Sequence, residues 1–202
     1  MKRREFLKLL ISSAILPTLL YAREKKNMIV YYSRTLNTHI LALYISELFK
    51  AELFCLECVQ SYPKDYEEMV ALARWQKEQN IMPQLRALPS LEGYENIFLG
   101  TPLWGLSLSA PMKSFLSKCD LRGKNLIPFV ANAGWGLGNA VNEISTLQKG
   151  ARIYTAFACE FKLKEKDEPN LRALNTELIA SNQAFNTLEK DKIKLWLKSM
   201  KI

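Results

Sequence analysis

The sequence predicts an α/β protein whose parallel sheet is covered by helices on both faces. Short apolar runs alternate along the chain with longer segments of helical periodicity, and several predicted strands end at polar or glycine-containing segments. This alternation is typical of parallel strands joined by helical crossovers. The chain has 202 residues, 49% of them hydrophobic, which is enough to bury one sizeable core.

The elements follow one another in a regular order. Five strands are predicted, at about residues 28–32, 53–59, 96–100, 126–131 and 152–158. Five main helices are predicted, at about residues 38–49, 65–80, 111–118, 139–147 and 188–200. Residues 159–186 form a polar insertion before the final helix, with a short helix near residues 171–180. Asn186 and Glu189 have the spacing of a capping pair for the final helix.

The end of the first strand is the most informative segment. The run from Met28 to Tyr32 stops at hydroxyl and amide side chains, and a helix begins there. The first backbone N–H groups of a helix lack partners within it, and the helix dipole adds positive charge at the same place. The segment therefore predicts a phosphate cradle. The alternative is a Ser/Thr cap after a buried strand.

Two further loops follow the third and fourth predicted strands. The first contains Pro102, Leu103, Trp104 and Gly105. The second contains Ala133, Gly134, Trp135 and Gly136. Parallel strands of such sheets bind ligands beyond their carboxyl ends, so both loops are predicted to lie at the ligand edge.

The four tryptophans divide into two pairs. Trp104 and Trp135 lie beside glycines in these loops, which favours a stacking role over core packing. Trp75 and Trp196 lie on predicted helices, where core packing is favoured.

These three segments together resemble the flavodoxin-like proteins, in particular a subfamily with a short phosphate loop. The resemblance covers roughly residues 28–154. It implies a three-layer sandwich with strand order 2-1-3-4-5 and flavin mononucleotide (FMN) as the cofactor. It further implies that the two later loops flank the isoalloxazine ring. The residues implied to hold the phosphate end are Ser33, Arg34, Thr35, Leu36, Asn37 and Thr38.

Two positions depart from the family pattern. Leu36 stands where the family usually has glycine, and Gly105 stands where the subfamily often has a second tryptophan. The cradle also contains no lysine, unlike the common nucleotide-binding loop. His39, the one histidine of the chain, is predicted to be a surface helix residue rather than a phosphate neighbour.

The first 22 residues are predicted to be an export signal. Arg3 and Arg4 are followed by Phe-Leu-Lys and by an apolar run from Leu9 to Leu20, which is short for a membrane span. This layout resembles twin-arginine signals, so we expect passage through the twin-arginine translocon, periplasmic localisation and no stable membrane anchor. The alternatives are an ordinary secretory signal and an uncleaved anchor. Residues 27–202 then form the flavodoxin-like domain.

Charge and cysteine content narrow the function classes. The net charge of the chain is +8, and its basic clusters alternate with apolar or acidic residues, which does not indicate nucleic-acid binding. Cys55 and Cys58 have redox-motif spacing, but a predicted strand points residues three apart to opposite faces. A catalytic dithiol is therefore not favoured, and no metal-ligand cluster is apparent.

The sequence thus predicts an exported FMN-binding protein that transfers electrons to a redox partner protein or a small-molecule acceptor. A ring between two indoles, with no cation nearby, would disfavour the doubly reduced anion and favour one-electron transfer. Two alternatives stay open. One is an FMN-dependent NAD(P)H reductase of a small acceptor. The other is a non-redox binding module with a decayed flavin site, which Leu36 and Gly105 would favour.

Overall fold

The computed structural model describes residues 26–161 and 170–201, so the predicted export signal lies outside the described residues. The strands are β1 Lys26–Tyr31, β2 Glu52–Cys55, β3 Tyr94–Trp104, β4 Ser107–Leu108, β5 Asn125–Asn132, β6 Arg152–Ile153 and β7 Phe157–Glu160. They form a central parallel sheet with the order β2-β1-β3-β5-β6, in which β7 also pairs with β5, and the short β4 pairs antiparallel with β3. With β6 and β7 together forming the fifth strand, the predicted order 2-1-3-4-5 is confirmed.

Helices cover both faces of the sheet. They are α1 Asn37–Phe49, α2 Tyr66–Glu78, α3 Ala110–Lys118, α4 Ala140–Leu147, α5 Leu171–Ala180 and α6 Lys190–Ser199, with a 3₁₀ turn at Ala184–Thr187. In β1, Ile29 and Tyr31 pack on the face covered by α1 and α6, whereas Val30 packs on the face covered by α3 and α4. Both faces of β1 are buried, which explains why its sequence is a continuous apolar run rather than an alternating one.

The third predicted strand is longer than expected. We predicted that it would end at Gly100, but β3 continues to Trp104 and turns back as β4, with Trp104 paired to Ser107. Gly105 and Leu106 form the two-residue turn, and both have positive φ, 55° and 62°. Hairpins favour such turns because their twist matches that of the strands, but leucine is a rare residue there. The sequence therefore gave no sign of this hairpin, which comprises residues 103–108.

The fifth predicted strand is broken. β6 pairs with Asn125 and Leu126, and β7 pairs with the end of β5, so residues 154–156 belong to neither strand. The carbonyl of Thr155 instead accepts a hydrogen bond of 2.7 Å from Nε1 of Trp196. A buried indole N–H needs an acceptor, and the break in the strand provides one.

Other boundaries also differ from the predictions. β2 ends at Cys55 rather than near residue 59, which places Cys58 outside the strand, and all four cysteines are free thiols. The Asn186–Glu189 capping pair is wrong, because the 3₁₀ turn occupies residues 184–187 and α6 has no side-chain cap.

The two tryptophans on helices differ in burial. Trp196 is buried as predicted, but Trp75 is 51% exposed and is not a core residue.

Over residues 26–161 and 170–201, no helix has the length and apolar character needed to cross a membrane.

Candidate functional site

The segment between β1 and α1, residues 33–38, forms a tight loop that we call the cradle loop. Its last turn depends on Leu36, which has φ 71° and ψ −1° and so adopts the left-handed conformation that favours glycine. Leu36 offers no side-chain cap to α1. Ser33, three residues before Leu36, caps the helix instead: its Oγ accepts a hydrogen bond of 3.3 Å from the backbone N–H of His39. The Ser33 hydroxyl proton can then be donated to another group.

The buried hydroxyl of Thr38 lacks a hydrogen-bond partner within the described part of the chain. Thr38 is 1% exposed, and its Oγ1 is the one buried side-chain nitrogen or oxygen among the described residues that has no hydrogen-bond partner. An unsatisfied buried hydroxyl destabilises a fold by about 1–3 kcal/mol, so such groups are rare. Thr38 lies in the first turn of α1, where backbone N–H groups also lack partners within the helix. The donors gathered here suit an anion.

Helix α5, part of the predicted insertion, packs on the cradle loop. Nδ2 of Asn175 donates to the carbonyl of Thr35 and to Oδ1 of Asn37, both at 2.7 Å. Nη1 of Arg172 donates to the carbonyl of Arg34. The cradle loop is therefore held by α5, which lies near the C-terminal end of the chain, and the guanidinium of Arg172 lies beside the loop. Our sequence-based assumption that the site has no nearby cation is wrong in this respect.

Arg34 itself is directed to a neighbouring segment. Its guanidinium donates to the carbonyls of residues 63–65, with 3.0 Å from Nη2 to the Pro63 oxygen. Asp65 in turn caps α2, where its carboxylate accepts from the backbone N–H of Glu68 at 2.9 Å. The side chain of Arg34 thus fixes the entry to α2 against the cradle loop.

His39 is not the surface residue that we expected. Its Nδ1 lies 2.7 Å from the hydroxyl of Tyr31, and the two rings stack with centroids 5.5 Å apart. Burial, together with the positive charge of Arg172, lowers the pKa of His39 below its usual value. Burial likewise raises the pKa of Tyr31 well above its usual value. Both groups are therefore neutral near pH 7 and stiffen the end of β1.

The hairpin brings Trp104 against two tyrosines. Its ring meets Tyr62 at 4.8 Å and Tyr32 at 5.5 Å between centroids, both in edge-to-face arrangements. Tyr32 directly precedes Ser33, so these contacts join the hairpin to the cradle loop. Nζ of Lys77 donates to the carbonyl of Gly105 at 2.8 Å, which adds a second cation near the site.

A carboxylate anchors the base of the hairpin. Glu143 of α4 accepts hydrogen bonds from Ser107 Oγ at 2.6 Å, from the Leu108 N–H at 2.7 Å and from Lys113 Nζ at 2.8 Å. Burial alone would raise the pKa of Glu143, but these three donors together lower it. The ionised carboxylate thereby ties β4, α3 and α4 together beneath Trp104.

The segment after β5, residues 133–138, is the glycine loop. Oδ1 of Asn132 accepts hydrogen bonds from the backbone N–H groups of Gly134, Trp135 and Gly136, at 2.8, 3.0 and 3.2 Å. These three amides are therefore already paired, although the resemblance to flavodoxin-like proteins places this loop beside the flavin ring. Trp135 is 70% exposed.

The three predicted loops lie at one edge of the sheet. Tyr31 is in register with Gly100, and Pro102 with Ala131, so the strands that carry them end side by side. The N–H of Asn139 donates to the carbonyl of Leu106 at 2.8 Å, which joins the hairpin to the end of the glycine loop. Contacts of these residues with a cofactor stay a prediction. Sequence reasoning missed Arg172 and Asn175, since no local motif marks them.

Two solved structures of known proteins have a similar fold. A candidate flavoprotein from Bacteroides uniformis ATCC 8492 has a TM-score of 0.63 and 20% identity, over 75% of this chain and 98% of that chain. A flavoprotein from Lactobacillus acidophilus NCFM, solved in complex with FMN, has a TM-score of 0.60 and 21% identity, over 74% of this chain and 97% of that chain. No curated protein is significantly similar in sequence.

These structural likenesses establish the fold, and a sequence match establishes the family. The family model described as flavodoxin matches residues 26–166, which is well over half of the chain and includes the seven strands of the described residues. The match ends before α5 begins at Leu171. The chain belongs to the flavodoxin family.

Proposed function

We propose that this protein binds FMN at the carboxyl edge of its sheet, with the phosphate in the cradle loop. The observation that carries the proposal is the unpartnered buried hydroxyl of Thr38 in the first turn of α1. Family membership, and the FMN complex of the similar L. acidophilus protein, support FMN as the cofactor. Leu36 keeps the left-handed conformation, which argues against a decayed loop.

The residues of the site have distinct roles in this proposal. The hydroxyls of Ser33 and Thr38 and the first backbone N–H groups of α1 donate to the phosphate. Trp104 excludes water from one side of the ring end, in the position that Tyr62 and Tyr32 fix for it. FMN would supply the redox chemistry, because flavins accept and release electrons.

We further propose that the protein acts in electron transfer after export through the twin-arginine route. Trp135, exposed in a loop at the ligand edge, supports an accessible ring edge through which a partner protein or small acceptor can exchange electrons.

Arg3 and Arg4 support the export route. Changing both to lysine keeps the charge but not the guanidinium geometry, so the protein should then remain in the cytoplasm. Periplasmic delivery of that variant would contradict the route.

Thr38→Val tests the site directly. Valine keeps the shape of threonine and removes the unsatisfied hydroxyl, so the apoprotein should be at least as stable as wild type. Its FMN affinity should fall by about tenfold or more, because a hydrogen bond to a charged group contributes about 1.5–3 kcal/mol. Its riboflavin affinity should not change. Flavin fluorescence titrations and thermal melts measure these quantities.

The matched control is Thr146→Val, which removes an exposed hydroxyl that bonds to the Asn142 carbonyl in α4. This control should leave both flavin affinities unchanged. Equal losses for FMN and riboflavin in Thr38→Val would place the phosphate elsewhere.

Stepwise reduction of the bound flavin tests the carrier role. Two separate one-electron steps, with slow turnover of NADH and NADPH, are expected for a carrier. A single two-electron step with rapid turnover would overturn that role and replace it by the reductase.

A further inference from the structure

The family match ends at residue 166 and α5 begins at Leu171, so α5 lies outside the matched segment. Two of its side chains form hydrogen bonds with the cradle loop. Asn175 is 2% exposed, and its amide bonds Thr35 and Asn37, which lie 140 and 138 residues earlier. One turn earlier on the same helix, Arg172 bonds the carbonyl of Arg34. Residues three apart on a helix share a face, so one face of α5 contacts the loop.

We propose that α5 is a clamp that makes the site selective for a phosphorylated flavin over the unphosphorylated one. Asn175 is a positioning residue that holds the cradle loop closed. Arg172 supplies the positive charge that the lysine-free loop lacks. The proposal rests on the proposed FMN site and adds to it the element that reads the phosphate.

The charge distribution supports the role of Arg172. Arg34, the arginine within the loop, directs its guanidinium to the carbonyls of residues 63–65. Arg172 instead reaches the loop backbone from outside, and its charge contributes to the lowered pKa of His39, the residue after Thr38. An arginine fork can bond a phosphate through two donors at once. Arg172 is exposed, so it can turn from the Arg34 carbonyl toward a bound phosphate without disturbing the core.

The burial of Asn175 supports its positioning role. Its amide bridges a backbone carbonyl and a side-chain oxygen of the loop, and both groups lie within three residues of Thr38. Fixing a loop before binding removes the ordering entropy that the ligand would otherwise have to offset. Loss of this bridge should therefore loosen residues 35–39 in the apoprotein.

Two variants and two matched controls test the clamp. Arg172→Gln removes the charge, and its control Arg122→Gln alters an exposed arginine that pairs with Asp120 ahead of β5, at the opposite edge of the sheet. Asn175→Ala removes the bridge, and its control Asn142→Ala alters an exposed asparagine of α4. Equilibrium titration of the apoproteins with FMN and with riboflavin, at low and high salt, measures the selectivity.

Arg172→Gln should weaken FMN about tenfold, leave riboflavin within about twofold and reduce the salt dependence of FMN binding. Asn175→Ala should weaken FMN and speed amide hydrogen exchange at residues 35–39 in the apoprotein. Both controls should match wild type. Because Arg172 is exposed, its variant keeps the test decisive even if Asn175→Ala does not fold.

Two outcomes overturn the clamp. One is equal weakening of FMN and riboflavin by Arg172→Gln, and the other is FMN binding by this variant with wild-type affinity and salt dependence. If wild-type protein itself fails to bind FMN, the proposed function fails as well. The wild-type titration thus separates failure of the site from failure of the clamp.

Discussion

The cradle loop and the glycine loop lie at the same edge of the sheet and differ in how their polar groups are satisfied. The cradle loop keeps an unpartnered buried hydroxyl at Thr38 and is held in place by α5 from outside. The glycine loop directs three backbone amides to the Asn132 carboxamide and leaves Trp135 exposed. One loop is fixed with donors still available, whereas the other has satisfied its own donors.

This difference separates the two ends of the proposed cofactor site. The phosphate end is assembled in the apoprotein, so binding there needs little rearrangement. At the ring end, either the indole of Trp135 moves or the flavin ring stacks on its exposed face. The backbone amides of residues 134–136 can bond the flavin only if their hydrogen bonds to Asn132 break. Affinity should therefore come mainly from the phosphate end, where only the exposed side chain of Arg172 has to turn, and backbone adjustment on binding should be confined to the ring end.

Asn132→Ala should have the largest effect on the fold. It removes one acceptor of three backbone N–H groups and one donor to the Cys159 carbonyl, so the free energy of unfolding should fall by about 3 kcal/mol. Urea unfolding measures this loss. The ratio of FMN to riboflavin affinity should not change, because the phosphate end is intact. A changed ratio would show that the two loops are not independent.

Trp104→Ala and Trp135→Ala separate packing from ligand contact. Trp104 is half-buried and makes edge-to-face pairs with Tyr62 and Tyr32, each contributing about 0.5–1.5 kcal/mol, so its removal should lower the free energy of unfolding by about 2 kcal/mol. Trp135 is 70% exposed, so its removal should leave stability unchanged while weakening FMN and riboflavin equally. Thermal melts and flavin titrations distinguish the two. Loss of stability in the Trp135 variant would mean that its ring already packs in the apoprotein.

Leu36→Gly should raise the free energy of unfolding by about 1 kcal/mol, because glycine relieves the left-handed conformation at φ 71°. Part of the gain is offset by the greater entropy of the unfolded glycine. Tighter FMN binding should accompany it only if the leucine side chain hinders the phosphate. Chemical denaturation with and without FMN measures both effects. A loss of stability would indicate that the packing of Leu36 outweighs its backbone strain.

His39 predicts a smaller, pH-dependent effect. Burial and Arg172 lower its folded-state pKa, so the unfolded chain binds more protons, and stability should fall as the pH drops below about 6.5. His39→Gln should remove the part of this loss that lies above pH 5. The lowered pKa of Glu143 acts in a separate window, below about pH 4.5. Thermal melts across this range would show identical profiles for variant and wild type if His39 titrates normally.

Sequence reasoning recovered the sheet order and the position of α5, because apolar periodicity and β-rich runs report burial directly. The family resemblance also marked Leu36 as a position that usually holds glycine, and the structure gives it a positive φ of 71°. Sequence reasoning missed the hairpin, because Gly105-Leu106 is an uncommon turn pair, and it missed the break in the fifth strand, because that break depends on Trp196. The ties from Arg172 and Asn175 to the cradle loop are tertiary contacts, and a single sequence carries no local sign of them.

The bonds from α5 to the cradle loop also bear on the order of folding. Every strand of the sheet is complete by residue 160, yet the loop after β1 gains its last supports from Arg172 and Asn175. Contacts that span about 140 residues close late, because the chain between them must be ordered first. During synthesis, N-terminal segments emerge and fold before the C-terminal ones. The proposed phosphate site at the start of α1 should therefore form late, although β1 and α1 precede the other elements of the sheet in the chain.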